Sequence, residues 1–506
     1  DKVMPKKIKR RTFIGHSVAA SAAITILPRH VLGGKGFIAP SDKLSVAYIG
    51  CGSQGIREMA ELLKNPKIQI TSVCDPNKFS TDYRDWSPNG IKNLIREATG
   101  NPNWGAQMTG IPGGRDVGQE MVNQFYARNN ASGVYKSCRS YEDFRELLEK
   151  EQDFDAVKIM TPDHLHATVS IAAMKKGKQV VIHKPIANRM HEARVTIDTA
   201  KQTGVSTHLL AYAKIQGNES LKKMLDQGVI GKLKEIHNWS NRPVWPQWTS
   251  NPTASVPIPA GMNWDLWLGP VPDRPYHPNY THMTFRGWYD FGGGTIADMG
   301  HYSLWPLFMS LGIDTPPISA EACGTTNREI VNQVSRGIEN DVAFPYSSMV
   351  RFKFGAQKSL PPFDLFWYDG GMRPPIPEEL SGPDQDLPAE GMMFVGDQGK
   401  ILAGFNCESP RLIPESKMNA YLQDRSMPSA QKPERSNDTW IDAFLDKRES
   451  PGSFLKARAV TETILLGGVA LRVGKRIFYD SDAMKITNIL EANKYFKREY
   501  RQGWEL

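Results

Sequence analysis

The sequence predicts an α/β protein in which a doubly wound parallel sheet is followed by a second α/β domain with a large, mostly antiparallel open sheet. Three observations predict it. A glycine-rich turn, Gly50-Cys51-Gly52-Ser53-Gln54-Gly55, follows a short apolar, β-rich run and opens an amphipathic stretch. Strand and helix patterns then alternate as far as residue 209. Beyond about residue 210 the texture changes to strand-like runs separated by long loops, which suits an antiparallel sheet.

Residues 44–49 form the first strand, and the helix opened by the glycine turn runs to residue 63. Gly50, Gly52 and Gly55 permit a sharp turn, close backbone approach to a pyrophosphate and close helix packing. The helix N-terminus, with Ser53 and Gln54, offers free N–H donors and a positive dipole end. Residues 68–74 form the second strand. Asp75 follows it, twenty positions beyond Gly55, where a Rossmann unit places the acid that reaches the adenosine ribose. An acid there bonds the ribose diol and repels a 2′-phosphate, so NAD is preferred over NADP.

Residues 79–133 are rich in Gly, Pro, Asn and Trp and read as an insertion, with one helix expected at 118–128. Whether it lids a cleft or decorates the sheet is open. Regular alternation follows: helix 141–150, strand 156–160, helix 163–176, strand 179–182, helix 188–202, strand 205–209. Runs 233–240, 318–323, 348–354 and 363–368 predict the second sheet, and helices 437–448 and 456–473 close the fold. The division is an N-terminal arm at 1–40, a cofactor domain at 41–210, a substrate and oligomerisation domain at 211–435, and closing helices with a tail at 436–506.

The net charge of +8 does not describe a polyanion-binding surface, because residues 1–36 hold eight basic residues against Asp1 alone. The rest of the chain is nearly neutral, and no nucleic-acid partner is expected. Lys9-Arg10-Arg11-Thr12-Phe13-Ile14, followed by the apolar run 18–27, reads as a twin-arginine export signal that delivers a folded protein to the periplasm. That run is ten residues long, about half the roughly 20 that a spanning helix needs. Outside the cytosol there is no free NAD pool, so an exported enzyme must carry its cofactor and regenerate it in place. The five cysteines form no C-x-x-C pair; buried free thiols and no metal site are expected.

Two clusters carry candidate chemistry. Thr161, Asp163, His164 and His166 follow one predicted strand, and His183-Lys184-Pro185 follows another, at the carboxyl ends where open α/β sheets bind ligands. Lys184 becomes a general base if burial and the positive charge of oxidised nicotinamide lower its pKa. A cis Pro185 would aim it sharply. His164 and His166 suit helix capping or a cavity wall better than metal ligation. In the second cluster, Gly292-Gly293-Gly294 enters a helix on which His301 and Tyr302 share a face with Asp298, a candidate proton relay. Six of the twelve tryptophans fall between Trp239 and Trp288, interleaved with Asn241, Arg242 and Asp265. Such aromatic faces suit a carbohydrate, though tryptophan is also a core residue. Tyr212, Asn241, Arg242, Trp245, Arg286, Trp288 and His301 are the candidate substrate contacts.

Together the glycine turn, Val73-Cys74-Asp75-Pro76, T-P-D-H-L-H-A at 161–167, Lys184-Pro185 and G-G-G-T-I-A-D-M-G-H at 292–301 resemble the glucose-fructose oxidoreductase, inositol dehydrogenase and MocA family. F-W-Y-D-G-G at 366–371 and N-R-P-V-W-P-Q at 241–247 are similar to its large exported bacterial branch. The resemblance implies NAD(P)-dependent oxidation of a sugar, with an active site between the two domains and an open sheet that supports a homo-oligomer, dimer or tetramer. It implies Lys184 as the general acid/base, with Asp298 and a nearby histidine completing the relay. His183 stands where the family has Glu, and Tyr302 where it has His, so the partner of the reacting hydroxyl, His301 or Tyr302, stays open. The leading expectation is a sugar or glycoside dehydrogenase. The alternative is an NAD-dependent glycosidase that works by oxidation, elimination and reduction.

Overall fold

The computed structural model describes residues 42–130, 133–211, 216–382, 385–423 and 436–506. The twin-arginine segment and Tyr212 lie outside the described residues. In the unit Leu44–Leu506, strands β1 (Leu44–Ile49), β2 (Ile68–Cys74), β3 (Arg139–Tyr141), β4 (Ala156–Ile159), β5 (Gln179–Ile182) and β6 (Thr207–Leu209) form a parallel sheet. Its order is β3-β2-β1-β4-β5-β6. β1 pairs with both β2 and β4, so the order reverses there and a crevice opens beyond the carboxyl ends of β1 and β4.

The first sheet is accompanied by α1 (Ser53–Leu63), α2 (Gly90–Thr99), α3 (Arg115–Arg128), α4 (Phe144–Lys150), α5 (His166–Lys175) and α6 (Met190–Thr203). α1 buries Ile56, Met59, Ala60, Leu62 and Leu63 and turns Arg57 and Glu61 outward, as an amphipathic helix does. β4 and β5 are buried along their whole length, which explains their near-continuous apolar sequences. Of the two polar exceptions, Gln179 and Lys158, the lysine is fully buried but pairs with Glu58 of α1 at 3.2 Å. A buried charge is tolerated only with such a partner.

After α7 (Gln216–Asp226), β7 (Leu233–Trp239), α8 (Trp264–Leu268) and α9 (Gly294–Leu311) come β8 (Ser319–Gly324), β9 (Asn327–Val331), β10 (Val334–Ile338), β11 (Ser348–Phe354) and β12 (Phe363–Tyr368). The chain continues through β13 (Gly391–Gly396), β14 (Lys400–Ala403), β15 (Arg411–Ile413), α10 (Glu415–Gln423), α11 (Ser436–Leu445), α12 (Arg458–Val473), β16 (Ile477–Asp480) and β17 (Lys485–Ile486). Nine of these strands form the second sheet, in the order β15-β14-β13-β7-β12-β11-β8-β16-β17, parallel only between β7 and β12. β9 and β10 form a separate exposed hairpin. The almost wholly apolar α9 packs on α12, and α12 also touches α6, β8 and β11. One core therefore runs from Ile49, Val157 and Ile182 of the first sheet to Phe352, Leu365 and Trp367 of the second.

Several local expectations are corrected. The insertion holds two helices, α2 and α3. The helix expected at 141–150 begins later, because Tyr141 belongs to β3 and Asp143 caps α4 by accepting from the Arg145 amide. All five cysteines are free thiols, but Cys323 is exposed, since β8 emerges from the core over its last residues. Among the described residues no helix is long and apolar enough to cross a membrane, and no cluster has the makings of a metal site.

Candidate active site

A cavity of about 380 Å³ starts at the glycine turn and runs along the crevice between β1 and β4 to Lys184, Asp298 and Tyr302. Gly50 shapes its floor. It has φ +105°, and a Cβ there would lie 2.5 Å from the Met160 carbonyl, so only glycine lets the turns after β1 and β4 touch. Gly52, Ser53, Gln54 and Gly55 line the wall at the N-terminus of α1. Asp75 closes that end, accepting from the amides of Cys51 at 2.7 Å and Asn77 at 2.8 Å. Burial pushes its carboxyl pKa up, against the pull of those two hydrogen bonds.

The start of the insertion folds over the glycine turn. The Tyr83 ring lies against Gly52, and the Ser53 hydroxyl donates to the Arg84 carbonyl at 2.8 Å. Arg57 of α1 pairs with Asp85 at 2.9 Å and lies over the Trp86 ring. Tyr83, Arg84, Trp86 and Arg57 all line the cavity, and sequence reasoning missed them. A loop without periodicity gives no signal of what it covers. Arg57, one turn into a pyrophosphate-facing helix, carried a readable one.

At the other end, Lys184 follows β5 at a cis Lys184–Pro185 bond and is 3% exposed. Its ammonium donates to the Asp298 carboxylate at 2.6 Å and to the Asp298 carbonyl, and Arg286 reaches the same carboxylate at 3.1 Å. Burial and Arg286 lower the Lys184 pKa, while Asp298 raises it; the net shift is downward. Burial pushes the Asp298 carboxyl up, yet Lys184 and Arg286 bring it down to about 2. Asp298 is brought there by the turn before α9, where the Gly293 amide donates to Asp163 at 3.1 Å. At Gly292 a Cβ would lie 2.5 Å from the Arg286 Cα, so this glycine lets the turn sit directly on the chain that carries Arg286.

His183 and Tyr302, the two departures from the family pattern, meet each other: the His183 Nε2 lies 2.8 Å from the Tyr302 hydroxyl. Burial, with Lys184 and Lys158 nearby, drives the His183 pKa well down, so the neutral ring shares one proton with the phenol. The Lys184 ammonium stands 4.8 Å from the centre of the Tyr302 ring. His166 bridges two strand ends, with its ring nitrogens 2.5 Å from the Pro185 carbonyl and 2.8 Å from that of Thr161.

Other candidates lie elsewhere. His301 is fully buried, with Nδ1 on the Ala297 carbonyl at 2.8 Å, and is not part of the cavity wall, whereas Tyr302 is. His164 is held between Trp267 and Phe291 and bonds the Trp267 carbonyl, and burial brings its pKa down to about 3. Asn241 is exposed beside Glu390. Trp288 is 1% exposed and packs with Trp264, Trp267, Tyr280 and Phe291 in a small core of its own. Of the six clustered tryptophans only Trp245 and Trp267 reach the cavity, so most of that cluster is core. Thr161, Arg242, Trp245 and Arg286 are on the wall.

A model described as an oxidoreductase family, NAD-binding Rossmann fold, matches residues 116–210, and one for the C-terminal alpha/beta domain of the same family matches residues 216–339. Levoglucosan dehydrogenase of Pseudarthrobacter phenanthrenivorans is 31% identical over 111 residues, 21% of this chain and 28% of that protein. A glycosyl hydrolase family 109 protein of Stenotrophomonas maltophilia is 24% identical over 230 residues, 45% of this chain and 41% of that protein. The chain thus spans under half the length of these curated relatives. The fold matches the WlbA dehydrogenase of Chromobacterium violaceum, solved with NADH and UDP-GlcNAcA, at a TM-score of 0.51 and 14% identity, covering 88% of this chain and 98% of that one.

Proposed function

We propose that this chain, which belongs to the glucose-fructose oxidoreductase, inositol dehydrogenase and MocA family of oxidoreductases, is an NAD(H)-dependent dehydrogenase of a ring hydroxyl on a sugar or glycoside. One observation carries the reading: the Lys184–Asp298 ion pair lies in the same cavity as the glycine turn and Asp75. The residues fit a nicotinamide dinucleotide. The amides at the start of α1, with Arg57 and Arg84, suit its pyrophosphate, and Asp75 suits an unphosphorylated ribose, hence NAD over NADP. The bound nicotinamide would supply hydride uptake and return.

The chain's own groups move the proton. Lys184, its pKa lowered by burial, accepts the proton of the sugar hydroxyl, and the Asp298 carboxylate stabilises the ammonium that forms. In the reverse direction the ammonium returns that proton. Tyr302, held by His183, offers a second hydrogen bond to the same region. The twin-arginine segment supports a periplasmic enzyme whose cofactor stays bound and is recycled in place, and the open nine-stranded sheet suits a homo-oligomer.

The test uses the purified protein with no added cofactor. Denaturation is expected to release NAD, and sugars or aryl glycosides to yield a keto product with a rise in reduced-nicotinamide absorbance. Net addition of water to a glycoside without accumulated keto product would overturn the dehydrogenase in favour of the glycosidase reading, which the family 109 relative supports. Asp298→Asn gives a second expected result. It removes the charge that raises the Lys184 pKa, so the rising limb of kcat against pH moves to lower pH. A limb that stays put or moves to higher pH would refute the pairing.

A further inference from the structure

One cation at the sugar end of the cavity has no partner of its own among the described residues. Lys184, Arg242 and Arg286 face it, and Asp298 is already engaged by both Lys184 and Arg286. Asp163 holds the Gly293 amide. The guanidinium of Arg242 has no ion-pair or hydrogen-bond partner among the described residues, although the side chain is partly buried and close enough to help hold the Asp298 pKa down. A partly buried cation without a protein partner is open to a ligand that supplies the counter-charge.

The backbone of Arg242, by contrast, is fixed on both sides. Its carbonyl accepts from the Gly370 amide at 2.6 Å, and its amide donates to the Ser240 hydroxyl, which in turn donates to Glu390. Gly370 sits in the turn that ends β12, and Asp369 anchors that turn by accepting from the Ser348 amide and hydroxyl and from the Trp367 indole. The F-W-Y-D-G-G and N-R-P-V-W-P-Q segments are thus two halves of one bracket. The bracket fixes the backbone from which Arg242 extends a guanidinium, the group best matched to an oxyanion with two accepting oxygens. The cofactor's pyrophosphate does not need it, since Arg57 and Arg84 stand at that end.

We propose that the substrate is an anionic carbohydrate, a sugar or glycoside bearing a carboxylate or a sulfate ester, and that Arg242 binds this oxyanion. The proposal rests on the sugar reading of the site, deepens it to a substrate class, and is tested separately by equilibrium binding. Calorimetry on the protein as purified compares neutral methyl glucoside and galactoside with the matching uronates and 6-sulfates. At least one acidic member is expected to bind about tenfold or more tighter than its neutral counterpart, with a preference that shrinks as salt rises. The uronate and sulfate arms tell the two sources apart. Arg242→Gln is expected to bring the acid-to-neutral ratio close to one, and Arg242→Lys to restore part of it. Equal or tighter binding of the neutral member in every pair, no detectable binding of any acid, or an unchanged ratio in Arg242→Gln would overturn the proposal. Acid-selective binding without keto product would sink the dehydrogenase reading alone, and oxidation of neutral sugars without acid preference would sink this inference alone.

Discussion

Lys184→Ala is expected to lower turnover by about 10²- to 10⁴-fold, the usual contribution of a positioned general acid/base, while the nucleotide released on denaturation stays at the wild-type amount. The separation follows from position. Lys184 lies at the far end of the cavity from the glycine turn and Asp75, and among the described residues its side chain hydrogen-bonds only Asp298. Lys184→Arg keeps a cation beside Asp298 but cannot give up its proton near neutral pH. It is expected to be as inactive as the alanine variant. A small primary amine added to Lys184→Ala should restore part of the rate. Wild-type turnover in either variant would remove Lys184 from the chemistry, and loss of nucleotide in both would recast it as a binding residue.

The largest expected loss of stability lies away from the reacting groups. Glu192 of α6 is 1% exposed and the Arg498 side chain is 4% exposed, and the two form an ion pair in which Tyr500 also donates to Glu192. Arg498 further reaches the Asn188 side chain and the Asp290 carbonyl, tying the tail to the segment before the glycine-rich turn. Arg498→Ala leaves the Glu192 carboxylate buried without its cation. Removal of one partner from such a pair costs about 3–5 kcal/mol, read as a fall in unfolding free energy from denaturant titration. Replacing both partners by apolar residues, Glu192→Leu with Arg498→Met, is expected to recover most of that loss. A single variant within about 0.5 kcal/mol of wild type would show that the pair is not desolvated in solution.

What sequence revealed and what it hid divide along physical lines. β1, the glycine turn, α1 and Asp75 were legible because one local pattern of strand, turn and amphipathic helix fixes them all. Lys184 and Asp298 were legible because strand ends and glycine-led helix starts are where ligands approach. His301 and Tyr302 could not be separated. Both lie within one helical turn of Asp298, and the small rotation that puts Tyr302 on the wall and His301 in the core depends on how α9 packs against α12. The tryptophan cluster misled for a related reason. Aromatic content signals burial, but Trp264, Trp267 and Trp288 chose each other as neighbours. β13–β15 carry too little alternation for period counting, and the lining role of Tyr83 to Trp86 depends on contacts with a helix far from them in sequence order.

The central charge pair joins positions 114 residues apart, and the latch that steadies its surroundings joins positions 306 apart. The parallel sheet, the glycine turn and Lys184 are all in place by Leu209, whereas Asp298 arrives only with α9. A nascent or partly opened molecule with α9 undocked would therefore hold Lys184 without Asp298, the carboxylate that fixes its ammonium and raises its pKa. Tertiary closure thus acts as a safety catch: the Lys184–Asp298 pair is assembled only in molecules that have finished folding.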